Sequence, residues 1–167
     1  GGIERRMQYL NDIRKSKPNL LLVDTGDHFK EPTRQGKLKA QTLMTATEKM
    51  SYDAVALGER DLVYGSKFLE NHPIPFISSN ITIENFPLQK TRIKEFSNGL
   101  KVAVMAIVDP DLFYLKNHAG LSISDPEQIV TQEIERIQKS ADIIVLLTHM
   151  EKEKALKYLD KDGVDIV

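Results

Sequence analysis

The chain contains no cysteine, which excludes disulfides, thiolate metal sites and cysteine nucleophiles without fixing a redox compartment. It has no excess of either charge: 23 Lys and Arg stand against 24 Asp and Glu, a formal net charge of −1. Such a balance gives no bulk attraction to nucleic acid or an acidic membrane, so no nucleic-acid partner is expected. No apolar run approaches the ~18 residues of a transmembrane helix, and no signal peptide, internal repeat, linker or low-complexity segment is visible. What is present is the composition of an ordinary globular domain: 167 residues, 41% hydrophobic and 28% charged. The chain opens on Gly1-Gly2 directly before a helical pattern and closes on Val164 to Val167, which reads as a strand. The expectation is one domain, incomplete at both ends, with the rest of a parent protein as its nearest partner.

Hydrophobic spacing sets out the elements. Ile3, Met7, Leu10 and Ile13 predict an amphipathic helix over 3–16, ended by Pro18. Leu20 to Val23 is a short unbroken apolar run and reads as a strand buried on both faces. Lys30 to Gly36 reads as a loop, Leu38 to Met50 as a helix and Ala54 to Leu57 as a second buried strand. A short helix over 62–70 leads to a third strand, Pro75 to Ser79. Thr91 to Phe96 and Lys101 to Val108, joined by Ser97-Asn98-Gly99, predict an antiparallel hairpin with a deeply buried second strand. Asp125, Pro126 and Gln128 occupy the N-cap, N1 and N3 of a helix whose buried face is Val130, Ile134 and Ile137. Ile143 to Leu147 is a further strand, Glu151 to Leu159 a surface helix, and Val164 to Val167 the last strand. Alternating strands and helices predict a layered α/β domain: a largely parallel buried sheet flanked by helices, plus the hairpin.

Three apolar strands end in polar residues that suit one site. The first ends at Asp24 with Asp27 beyond it, the second at Gly58-Glu59-Arg60-Asp61, and the one over Ile143 to Leu147 at His149. In a parallel sheet these tips share the edge where ligands collect, and carboxylates with a neutral imidazole are ligands for a hard or borderline divalent cation. Each residue also has a plainer reading. Asp27 can serve as a turn carboxylate and His149 as a satisfied strand-end histidine, while Asp24 reads as a loop-fixing acceptor. His28, His72 and His118 lie in loop-like contexts and read as solvated.

These motifs resemble those of the calcineurin-like metallophosphoesterases, in particular the 5′-nucleotidase and UDP-sugar hydrolase branch. The matching stretches are Gly1-Gly2 before Arg5-Arg6, Asp24 to Phe29 for Asp-x-Gly-Asp-x-Phe, and Tyr52 to Gly65 for the segment around Gly-Asn-His-Glu. Pro75 to Asn80 match Pro-Phe-x-Ser-x-Asn, and the strand into His149 completes the order. The resemblance implies two divalent cations, Mn²⁺, Zn²⁺ or Mg²⁺, with Asp27 as the bridging carboxylate and His149 on the second metal. It also implies a small phosphate ester as substrate, a periplasmic or extracellular location, and loop-supporting roles for Asp24, Asp61 and Asn80.

The sequence departs from the family in three linked positions. Glu59 stands at the metal-binding Asn, Arg60 at the His that stabilises the transition state, and Val63 at the Asp that orients this His. The family's Asp-x-His and Gly-His-x-His segments would fall before Gly1 and after Val167. Glu59 retains a carboxylate able to ligate metal, and Arg60 can bind phosphate; arginine is always charged and cannot replace a general acid. A divergent branch related to UDP-sugar hydrolase carries the same Gly-Glu-Arg-Asp, and this chain resembles it. The expectation is a nucleotide or phosphate-ester hydrolase domain with a degenerate site, its metals either retained or lost. The alternative is a non-catalytic pseudoenzyme domain that binds a ligand or protein. Two further readings fall away. Val23-Asp24-Thr25-Gly26 matches an aspartic-protease string, but that class is all-β; a haloacid-dehalogenase-type site needs its second Asp two residues after the first, and Asp27 is three after Asp24.

Overall fold

A computed structural model describes residues 2–113 and 120–167. The first elements are α1 (Ile3–Ser16), β1 (Val23–Asp24), α2 (Arg34–Met50), β2 (Ala54–Ala56), α3 (Ser66–Glu70) and β3 (Phe76–Ile77). They are followed by β4 (Ile81–Ile83), β5 (Thr91–Glu95), β6 (Lys101–Val108), β7 (Leu121–Ile123), α4 (Pro126–Ile137), β8 (Ile143–His149) and α5 (Lys152–Leu156). A 3₁₀ turn, Glu59–Leu62, joins β2 to the residues before α3. Among the described residues no helix is long and apolar enough to cross a membrane.

The parallel strands are divided between two sheets. One has the order β1-β2-β3, all parallel, and the other β5-β6-β8, with β6 and β8 parallel in register from Val102↔Ile143 to Val108↔His149. One layer of core lies between them. Ala54, Ala56 and Ile77 from the first sheet pack with Val102, Val104, Ala106, Val145 and Leu147 from the second. The alternate residues point the other way, as the two-residue period of a strand requires. Val55, Leu57 and Phe76 pack with Met44 of α2 and Leu69 of α3. Ala103, Met105, Ile107, Ile144 and Leu146 meet Val130, Ile134 and Ile137 of α4. The result is helices, sheet, sheet, helices. This is the expected layered α/β fold, with its parallel strands distributed over two stacked sheets instead of one.

The sheets are stitched together at one corner. Beyond β3, the backbone N–H of Ser79 donates to Ala106 O at 2.6 Å. Asn80, 2% exposed, accepts from Val108 N at 3.0 Å and donates to Val108 O at 2.9 Å and Ser124 O at 3.2 Å. These bonds hold the end of β6, and through its register the end of β8.

Several boundaries move for identifiable reasons. The first strand is shorter and lies later, at Val23–Asp24, and is only half-buried because β1 is the edge of its sheet. Helix α2 begins at Arg34 because Thr33 caps it, its hydroxyl accepting from Gly36 N at 2.9 Å; Gly36 therefore lies in the first turn and not in a loop. The helix expected over 62–70 is divided at Gly65, whose φ of +78° interrupts the helical run. The last expected strand is a single parallel bridge, Val145↔Ile166, and α5 is shorter than expected. Antiparallel pairing of β4 with β7 has no counterpart among the expected elements. The hairpin turn and the Asp125 cap appear as expected, Gly99 at φ +84° and Asp125 Oδ1 accepting from Gln128 N at 2.8 Å.

The stitching by Asn80 gives a stability prediction. Asn80→Ala leaves the two buried backbone groups of Val108 without their partner, and since each such group costs about 1–3 kcal/mol, a loss of roughly 2–4 kcal/mol is expected. Urea unfolding with the m-value unchanged measures it; a loss below about 1 kcal/mol would show that the corner is not held by this side chain.

Candidate metal centre

The site begins where β1 gives out. After Asp24 the chain turns sharply through Gly26, at φ +85°, and Asp27, at φ +62°. A positive φ is uncommon for a non-glycine residue, and such strain persists where surrounding contacts over-determine it. The opposite wall is the turn after β2. A side chain at Gly58 would collide with the Asp27 carboxylate, so glycine there is what lets the two loops touch.

The contact between these loops is organised by Asp61, which is fully buried. One oxygen accepts from Asp27 N and Gly58 N, both at 2.9 Å. The other accepts from His28 N at 2.8 Å and lies 3.0 Å from His28 Nδ1. Asp27 answers across the gap, its Oδ1 accepting from Arg60 N at 3.1 Å. Asp24 fixes the same loop from its start, accepting from Gly26 N at 3.0 Å, with Arg6 and the His28 ring within ion-pair range.

The third wall is the end of β8. Its last residue, His149, is held by parallel pairing with Val108 and by Asp109 N, which donates to His149 O at 2.9 Å. Asp109 is buried and accepts from Lys154 Nζ at 2.5 Å, which ties the segment after His149 back to β6.

Asp27, Glu59 and His149 each offer a ligand atom, and these atoms lie within 4.8 Å of one another. His149 Nε2 is 2.7 Å from Glu59 Oε2 and 3.5 Å from Asp27 Oδ2. Arg60 Nε stands 3.7 Å from Asp27 Oδ2 and 3.7 Å from Glu59 Oε1. The ligand side chains are mostly covered, whereas the Arg60 side chain is 55% exposed. Burial is the main influence on the Asp27 carboxyl and pushes its pKa up. The Arg60 N–H and His149 pull it down, and the charges of Glu59 and Asp61 add to the rise. Two carboxylates and an imidazole around one point are a suitable donor set for a hard or borderline divalent cation.

The expected strand tips therefore do converge, but from two sheets: Asp27 and Glu59 from the first, His149 from the second. Asp24, Asp61 and Asn80 lie behind them and touch backbone, not the point of convergence. Two histidines differ from their solvated reading. The His28 side chain is 7% exposed and sits between Asp61 and Asp24, while His72 Nδ1 is 2.5 Å from Glu48 Oε1. His118 lies outside the described residues. The pairing of His28 with Asp61 is hidden from a local reading because the partner is 33 residues away; the available clue is Asp61 standing three residues after Gly58, the spacing of a loop-capping acid.

Comparison with known proteins adds to this geometry. A solved 5′-nucleotidase precursor from Thermus thermophilus superposes with a TM-score of 0.87 over 99% of this chain and 35% of that chain, at 21% identity. The chain has a 5′-nucleotidase fold. Among curated proteins, it is 28% identical over 160 residues to the snake venom 5′-nucleotidase of Naja atra, covering 88% of this chain and 29% of the relative. It is also 28% identical over 183 residues to the trifunctional nucleotide phosphoesterase protein YfkN of Bacillus subtilis (strain 168), covering 92% of this chain and 12% of the relative. The chain thus spans under a third of the length of these curated relatives. No family model matches it.

Two expectations follow from the loop contact. Asp61→Ala orphans the N–H groups of Asp27, His28 and Gly58, and should cost about 3–4 kcal/mol in urea unfolding; a cost below about 1 kcal/mol would remove Asp61 from its organising place. The His28 ring supplies a pH signature. Burial pulls its pKa down, but the hydrogen bond to Asp61 and the charges of Asp61 and Asp24 outweigh this and hold it above 6.5. Protonation of His28 therefore stabilises the fold, fully below about pH 6.5, and this share is lost as pH rises through the raised value. In EDTA, His28→Gln should flatten that fall in melting temperature; an unaltered slope would show that another group causes it.

Proposed function

We propose that this chain is the metal-binding part of a nucleotide phosphoesterase-type domain, and that it is a poor hydrolase on its own. The observation that carries the reading is the convergence of Asp27, Glu59 and His149 on one point at the loop ends of a 5′-nucleotidase fold. Asp27, Glu59 and His149 are the residues that would hold a divalent cation, Mn²⁺, Zn²⁺ or Mg²⁺. When bound, such a cation polarises a phosphoryl oxygen and lowers the pKa of bound water.

The chain's own groups bind and orient more than they catalyse. Arg60, beside the carboxylates and largely open to solvent, offers a phosphoryl oxygen a fixed positive charge and paired N–H donors. It cannot give up a proton at neutral pH, so it does not protonate a leaving oxygen. His149 is engaged with Glu59 and Asp27 and is not free to act as a general acid while it serves as a ligand. Loss of general acid–base help typically costs about 10²–10⁴ in rate. The ligand is accordingly a small phosphate ester, and the names of the relatives favour a nucleotide. The venom source of one relative supports an extracytoplasmic location. The short span relative to these proteins supports a larger parent chain that completes the site.

A second reading has its own support. Before any cation binds, Arg60 already neutralises part of the Asp27 and Glu59 charge, as expected of a non-catalytic domain that recognises an anion without a metal. One experiment separates the two. Calorimetric titration with Mn²⁺ and elemental analysis of the purified chain should give one cation per chain, lost in Asp27→Ala. Turnover of nucleoside monophosphates should lie at least tenfold below the ~10 s⁻¹ typical of enzymes. Absence of metal binding would sink the first reading in favour of the second; turnover near ~10 s⁻¹ abolished by Asp27→Ala would show that Glu59 and Arg60 form a working catalytic pair.

A further inference from the structure

A cavity of about 450 Å³ is lined by residues from His28, the residue after Asp27 in sequence, to Leu43. Its volume lies within the roughly 300–1,000 Å³ usual for small-molecule sites. Its floor is rigid. Phe29 is 3% exposed and is held edge-on by Tyr64 and Phe68, with ring centroids 5.6 and 5.5 Å away, and Ala40 and Leu43 of α2 complete the apolar surface.

The rim is pinned rather than loose. The Tyr64 hydroxyl donates to Glu31 O, Thr33 caps α2, and a side chain at Gly36 would strike Glu31 O and the Tyr64 hydroxyl. The wall is also unusually basic for a chain of net charge −1. Lys30 and Lys39 line it, Arg34 and Lys37 adjoin it in sequence, and Glu31 is the one acid from Lys30 to Lys39. Among the described residues, none of these four cations takes part in an ion pair.

We propose that this cavity is a binding site for an organic phosphate of nucleotide size, its phosphate held by Lys30 and Lys39 and its apolar body resting on Phe29, Ala40 and Leu43. Thr33 and Gln35 supply hydrogen-bonding groups at the rim. The site does not require a cation at the metal centre, so it stands or falls separately from the proposed function.

The test uses the full chain in EDTA, with AMP, adenosine and inorganic phosphate as probes and amide NMR shifts as the readout. AMP should shift Gly36, Lys39 and Ala40. The double substitution Lys30→Ala/Lys39→Ala should weaken AMP by at least about tenfold, the scale of one lost charge-assisted contact. Lys30→Arg/Lys39→Arg should retain most of the affinity. Both lysines are exposed, so an unchanged melting temperature is expected and certifies the fold. Adenosine and inorganic phosphate should each bind more weakly than AMP, because each lacks one half of the contact. The proposal is overturned if AMP leaves those amides unmoved or the alanine pair binds as the parent does. Equal binding of either partial probe would overturn it too.

Discussion

One buried carboxylate holds the functional end of this molecule together. Asp61 is a charge with no exposure to solvent, a costly placement unless its oxygens are fully engaged. They are engaged by three backbone N–H groups and an imidazole, drawn from two loops that meet at this carboxylate. Asp27 can sit in a left-handed conformation because its own N–H is fixed by Asp61 and its carboxylate by Arg60 N. Gly58 is part of the same constraint, since any larger residue would push the loops apart. The Asp27 carboxylate therefore reaches its position through Asp61, although Asp61 does not line the point of convergence.

The two-sheet arrangement explains why three distant residues meet. Parallel strands present their carboxyl ends on one side. Here two parallel sets lie face to face, with small residues, Ala54 and Ala56 against Ala106, allowing close approach. His149 is set by a long parallel register, whereas Asp27 and Glu59 are set by loops. Arg60 comes with Glu59 on the same turn, so the Glu59 carboxylate has a counter-charge beside it.

Much of the architecture was legible in the residues. The runs Lys101 to Val108 and Ile143 to Leu147, the Asn98-Gly99 turn and the Asp125-Pro126 start are local signals and reappear as elements. The assignment of strands to sheets was not legible. An apolar run such as Ala54 to Leu57 announces burial on both faces but does not say whether helix or sheet covers each face. Edge position was equally hidden: Leu20 to Val23 is as apolar as a central strand, yet it has a neighbour on one side only. At the site, the strand-end positions of Asp27, Glu59 and His149 were readable from where apolar runs stop. His28 was not, because its burial depends on a partner brought by the fold and nothing in Asp27-His28-Phe29 announces it.

The sequence distances across the centre bear on the order in which the molecule assembles. The Asp27 to Arg60 bond spans 33 residues, but the His149 to Glu59 contact spans 90 and crosses from one sheet to the other. Contacts of long span form late, because loop closure must be met before they contribute. The two loops can dock as soon as β1 and β2 pair, while His149 arrives only once the second sheet has closed over the first. A ligand that bridges the two sheets at that point acts on a structure already formed. It would act as a clasp on the finished fold, slowing its opening and leaving the speed of its closing almost untouched.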